Sequence, residues 1–94
     1  MKAPTLPATN YQPQKYTGPS AAVVLAQRKQ FLNPGIFLYY REPIMFVEGK
    51  GQYIWDDQGK RYLDGLGGIV TISVGHCHPH VVAAANQQNE TLQH

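Results

Sequence analysis

Apolar residues first recur at helical spacing between residues 20 and 32. Ala21, Val24, Leu25, Arg28 and Leu32 fall near one stripe of a helix. Ser20 stands where an N-cap is needed, because its hydroxyl can take an orphan amide proton of the first turn. Asn33-Pro34-Gly35 stops the pattern. Arg28 and Lys29 suit the negative end of the helix dipole. The period then changes to two. Pro43 opens a strand over residues 44–48, and Gly49-Lys50-Gly51 turns the chain. Residues 52–56 form a second strand, with Tyr53 and Trp55 on one face and Ile54 on the other. Asp57-Gln58-Gly59 is a hairpin loop whose glycine takes the left-handed position. Residues 61–64 form a third strand. Gly65, Gly67 and Gly68 then break regular structure and let backbone approach another group closely. Pro79 suits the first position of a last helix, residues 80–92, with Val81, Ala84, Ala85 and Leu92 as a weak apolar stripe. Helix, three-stranded antiparallel meander and helix make an α+β class.

Residues 1–18 carry Pro4, Pro7 and Pro13 and no periodic apolar face, so they read as an extended arm. Tyr11 and Tyr16 suit docking on a larger surface; disorder is the other reading. Ninety-four residues make one small domain at most. Two helices and three short strands are thin for a closed core, so their apolar faces are expected to pack against something else. Charged residues are 15% of the chain and hydrophobic ones 43%, which excludes a polyelectrolyte or a typical disordered composition. The net charge is +2 and no run of Lys or Arg exceeds two, which argues against nucleic acid as a partner. The longest apolar run is far short of a membrane span. The single cysteine, Cys77, excludes an internal disulfide. The first residues lack both a signal-peptide apolar core and an Arg-rich amphipathic pattern.

Gly75-His76-Cys77-His78-Pro79, with His80 after it, concentrates the candidate chemistry. In a strand, His76 and His78 would share a side and could hold zinc. No second cysteine or well-spaced carboxylate supplies the remaining ligands. The reading preferred here is structural: His78 caps the helix begun at Pro79, and Gly75 relieves a tight turn. Cys77 would need a turn to meet a histidine, so a nucleophilic role is set aside. Five lysines are present. Lys60 lies at a hairpin and Lys50 between glycines in a turn, neither in the desolvated surroundings that a catalytic amine needs. No catalytic residue is assigned. Phe37, Tyr39, Tyr40, Tyr53 and Trp55 read as packing, with residues 37–40 as an alternative pocket mouth.

The run from Gly49 to Asp64, then Gly68-Ile69-Val70, then Gly75-His76-Cys77-His78-Pro79 resembles the start of class III pyridoxal-phosphate aminotransferases. Gly68 to Pro79, with Tyr16-Thr17-Gly18-Pro19-Ser20 and Arg28-Lys29-Gln30-Phe31-Leu32, is most similar to the alanine–glyoxylate type 2 branch. The resemblance implies a fold-type I homodimer acting on an amino acid and a 2-oxo acid. Residues 19–94 would be an amino-terminal part of its small domain, leading into a large domain that is absent here.

In the family, a lysine anchors pyridoxal 5'-phosphate, an aspartate pairs with its ring nitrogen, and a Ser/Gly-rich turn holds its phosphate. All three lie beyond residue 94 in the family pattern, so no cofactor-binding or metal residue is assigned. The 94 residues alone are expected to be inactive. The resemblance also implies that Ile69, with Val70 beside it, walls the substrate pocket; the alternative is that both are buried strand residues. An apolar wall suits a small donor such as alanine, with glyoxylate as acceptor. The rival expectation is a non-catalytic piece that docks on a full-length protomer. Compartment stays open: mitochondrial by resemblance in a eukaryote, cytoplasmic in a bacterium.

Overall fold

The computed structural model describes all residues, 1–94. Its element order is α1 (Ala21–Phe31), β1 (Phe46–Lys50), β2 (Tyr53–Asp56), β3 (Arg61–Leu63), α2 (Gly67–Val70) and α3 (Pro79–Thr91). The expected α+β arrangement is present, and the three strands form one antiparallel sheet in sequence order.

Helix α1 starts where its cap dictates. Ser20 Oγ accepts from the Val23 amide at 3.3 Å. The helix ends at Phe31 because Leu32 turns extended, while its N–H still donates to Arg28 O. Asn33 Oδ1 then accepts from Gly35 N at 2.8 Å and fixes the turn. Ala21, Val24, Leu25 and Arg28 face Leu38, Ile44 and Met45 across a shallow apolar groove. Phe37, Tyr39 and Tyr40 stand exposed, their rings paired Phe37 with Tyr39 and Tyr39 with Tyr40, rather than packing into a core.

The first hairpin differs from expectation. Strand β1 begins at Phe46 and runs through Gly49 to Lys50. The turn is therefore the two-residue Gly51-Gln52, with Lys50 opposite Tyr53 and Gly51 at φ +57°. Gly49 belongs to the strand, paired with Ile54, and the His76 side chain lies against it. A Cβ there would sit 2.8 Å from His76 Cγ. A register shift between Phe46 and Glu48 marks a bulge at Val47. The second hairpin is as read: Gly59 has φ +79° and follows the Asp56 turn.

Strand alternation sorts the sheet into two faces. Tyr53 and Trp55 are buried on one, at 1% and 3% exposure. The arm lies across this face. The Tyr11 ring is 5.4 Å from Trp55, the Tyr11 hydroxyl donates to the Glu48 carboxylate, Gln14 N donates to the same carboxylate at 3.0 Å, and the Tyr53 hydroxyl donates to Pro7 O. Tyr11 thus docks on the chain's own sheet. Opposite, Phe46 meets Tyr62 edge-on at 5.3 Å.

The helices stand apart. Neither α1 nor α3 packs against another named element. Every residue of α3 is exposed. His78 holds the N-cap position without capping. Pro79 has no N–H to offer, and the His78 carbonyl, not its ring, receives Val82 N at 3.0 Å. The radius of gyration is 16.3 Å, against about 12 Å for a compact chain of this length. The accessible surface is 8455 Å², against about 5,400 Å² for a globular protein of this mass. Much of the chain's apolar surface therefore has no partner within it.

Candidate functional site

Of the residues singled out from sequence, Gly75 and His76 meet Asp64 where the third strand leaves the sheet. Asp64 follows β3, and its N–H pairs with Gln52 O at 2.9 Å. Its side chain then serves both ends of the loop that follows. Oδ1 accepts from Leu66 N at 3.2 Å and from Gly67 N at 2.8 Å. This is the local amide capture typical of aspartate in a turn. Oδ2 pairs with His76 Nε2 at 2.6 Å. The His76 bond, followed by the Gly67 amide, holds the Asp64 carboxyl below its ordinary value, because both favour the charged form.

His76 is itself fixed from two sides. Its backbone exchanges hydrogen bonds with Gly51, N to O at 2.8 Å and O to N at 3.0 Å. Gly75 at φ +89° permits this, since a Cβ there would meet Gly51 Cα at 3.0 Å. The motif's glycine and first histidine are thus a latch onto the first hairpin. A cleft of about 290 Å³ opens beside the latch, lined by Gly51, Asp64, Gly67, Ile72, Gly75 and His76.

Ile69 and Val70 are not in that cleft. They sit at the far end of the loop in a left-handed turn, φ +56° and +55°, and are 80% and 84% exposed. They are neither buried nor part of a strand. Two β-branched residues in this region cost on the order of 1–2 kcal/mol each. Within the turn, Val70 N donates to Leu66 O at 3.0 Å and Thr71 N to Gly67 O at 2.9 Å.

The histidine–cysteine cluster is not a strand. Cys77 has φ +53° and is exposed, so His76 and His78 do not share a strand face, and His76 is committed to Asp64. No three His, Cys, Asp or Glu side chains converge. The residues present do not compose a pyridoxal-phosphate pocket either. Lys50 Nζ reaches Cys77 O at 3.4 Å, Lys60 Nζ lies 5.0 Å above the Tyr62 ring, and Lys2, Lys15 and Lys29 are exposed. None is desolvated as a covalent anchor would be.

The family model described as aminotransferase class-III matches residues 39–94. The chain belongs to the class III aminotransferase family. Over 89 residues it is 51% identical to the mitochondrial alanine–glyoxylate aminotransferase 2 homolog 2 of Arabidopsis thaliana, covering 95% of this chain and 19% of that one. Over 56 residues it is 55% identical to the acetylornithine aminotransferase of Nitrosomonas europaea, covering 60% of this chain and 14% of that one. Among solved structures, the ornithine aminotransferase of Toxoplasma gondii superposes with a TM-score of 0.63 at 36% identity, over 78% of this chain and 16% of that one. The chain thus spans about a fifth or less of the length of these curated relatives.

Two acidic residues carry more of this class III segment than the sequence reading gave them. Asp64 was read only as a strand end. The signal was its place before Gly65-Leu66-Gly67, where an aspartate captures turn amides. Asp56 was read as strand, yet it organises the second hairpin. Its carboxylate accepts from Gln58 N at 3.0 Å, Lys60 N at 2.9 Å and the Tyr62 hydroxyl at 2.9 Å. Burial pushes this carboxyl up, but the Lys60 amide, the Tyr62 hydroxyl and the Gln58 amide outweigh it, so its pKa is lowered.

Proposed function

We propose that this chain is an amino-terminal segment of a pyridoxal-phosphate-dependent transaminase that moves an amino group from a small amino acid, alanine-like, to a small 2-oxo acid, glyoxylate-like. The observation that carries this reading is the 51% identity over 89 residues to an alanine–glyoxylate aminotransferase 2 homolog. Bound to the rest of such an enzyme, the cofactor supplies an electron sink for the amino acid's α-carbon. This segment contributes no anchor for it. Its part is a wall, Ile69 and Val70, set on an exposed loop whose neck is fixed to the sheet. A short β-branched wall adds contact without a hydrogen bond, so it selects by size and desolvation.

The bare α3, the absence of packing between α1 and any other named element, and the extended shape support a division into an arm, residues 1–18, and a partial small domain, residues 19–94. That domain would complete its core against a large domain in a homodimer. A eukaryotic source would place the enzyme in mitochondria, the location in the name of the Arabidopsis thaliana relative.

The test uses the full-length protein that carries this segment. Loaded with pyridoxal phosphate, it should convert alanine and glyoxylate faster than ornithine or acetylornithine. Preference for either of the latter overturns the substrate assignment. The purified 94-residue chain should show no cofactor absorbance band; a band lost on replacing one of its five lysines overturns its non-catalytic role.

The bare α3 favours a second reading, in which the 94 residues dock on a full-length protomer and yield an inactive mixed dimer. Unchanged oligomer mass and activity after mixing the two dispose of it.

A further inference from the structure

We propose that Asp64 and His76 are positioning residues: they close the neck of the loop formed by residues 65–75 and thereby hold Ile69 and Val70 out toward the amino-acid substrate. The inference rests on the reading of Ile69 and Val70 as pocket wall, and it assigns the pair that makes that wall possible.

By hydrogen bonds, the loop is tied to the chain at one place. Every hydrogen bond that leaves residues 65–75 goes to the Asp64 carboxylate, through Leu66 N and Gly67 N. The remaining hydrogen bonds are internal, including Ile72 N to Gly67 O at 2.9 Å and Thr71 Oγ1 to Gly68 O at 2.5 Å. Immediately after the loop, His76 returns to the same carboxylate at 2.6 Å and to the Gly51 backbone. One aspartate therefore sets the departure of the loop with one oxygen and its return with the other. The pair is largely shielded, the Asp64 side chain being 11% exposed and the His76 side chain 22%. A charge-assisted bond in that setting is stronger than one in open water.

The tip gives the neck its purpose. Ile69 and Val70 hold a left-handed conformation that an unconstrained chain leaves readily. Opening the neck allows the turn to relax into ordinary extended or right-handed backbone, and the two side chains lose their fixed placement. A pair that served only to stabilise the sheet would do the opposite: its loss would loosen β1–β3 and leave the tip no worse off than the rest.

Two measurements separate these roles. The first is amide hydrogen exchange on the 94-residue chain, with β1–β3 as internal reference. His76→Ala should speed exchange in residues 66–72 by roughly tenfold or more, the loss expected for one charge-assisted bond. Sheet amides should keep their protection, and His76→Gln, which can still donate to Asp64, should restore most of the loop's. Asp64→Asn keeps an acceptor for the Leu66 and Gly67 amides and gives the same readout if His76→Ala unfolds the sheet. Equal loop exchange in wild type and both variants overturns the clamp.

The second measurement is steady-state kinetics of the full-length transaminase carrying this segment. His76→Ala should raise KM for the amino donor about tenfold with kcat within about threefold, and His76→Gln should recover it. A loosened loop with unchanged KM overturns the positioning role toward substrate and identifies the pocket-wall reading as the failed step. Rigid exchange in all variants identifies the clamp as the failed step instead.

Discussion

The meander and the last helix are equally regular, yet only one of them is packed. In residues 46–64, Tyr53, Trp55 and Asp56 are buried, the arm covers one face, and Tyr62 with Phe46 covers part of the other. In α3 every side chain is exposed, and no element lies against Val81 or Val82. The difference teaches what each region needs. The meander draws its order from contacts that the chain supplies: a cluster of tilted rings, a carboxylate that fixes a hairpin, and an arm pinned by Tyr11 and Tyr53. Helix α3 has backbone hydrogen bonds and a proline start but no tertiary support. Most helical stability in proteins comes from such support.

Breaking the meander should have the largest effect. Trp55→Ala removes the ring that Tyr11 and Tyr53 meet. A loss of about 3–5 kcal/mol is expected for a buried aromatic. Denaturant titration followed by β-sheet amide signals should show the arm and sheet released together. Survival of the sheet with the arm detached would show that the two are separable.

Next comes the latch. Gly75→Ala puts a Cβ 3.0 Å from Gly51 Cα on a backbone at φ +89°. A cost on the order of 1–3 kcal/mol is expected, since both strain and overpacking apply. Its readout is loss of protection at the Gly51 and His76 amides, with Ile54 and Tyr62 unaffected.

Acid should act on the packed region alone. The Asp56 and Asp64 carboxyls are both lowered from the ordinary value of 3.8. Each therefore contributes stability that is fully present above 3.8 and is lost as pH falls through the lower folded-state pKa. Circular dichroism and amide protection of the sheet should hold down to the ordinary carboxylate range and decline below it. Decline already well above that range would show that neither carboxylate is stabilised as described. Val82→Ser, on the bare face of α3, should have the smallest effect, within about 0.5 kcal/mol for the chain alone. A larger loss would mean that α3 finds a partner within these 94 residues.

How far each region could be read in advance follows the same division. Element types were legible because they rest on local signals. Ser20, the Asn33-Pro34-Gly35 stop, the Tyr53/Trp55 alternation, Gly59 and Pro79 each act within a few residues of themselves. The family likeness was legible for the same reason, as a linear motif. The first turn was misplaced because Gly49, a turn former by itself, pairs with Ile54 in the ladder and has the His76 side chain, 27 residues later, where a Cβ would be. His78 was misjudged as a cap because holding the N-cap position does not bring its ring to the first-turn amides. The arm's docking surface was missed because Glu48 and Trp55, not a foreign surface, receive Tyr11.

Alone, then, the amino-acid order settled which segments are helix, strand and turn, which side of β2 is greasy, and to which family the motif points. These are decided by backbone sterics and by neighbours along the chain. The fold decided that Asp64 and His76 meet, that Tyr11 folds back, and that Ile69 and Val70 stand exposed in a left-handed turn. Those outcomes depend on groups far apart in sequence brought within hydrogen-bonding range, and no local propensity encodes a 2.6 Å contact across 12 residues.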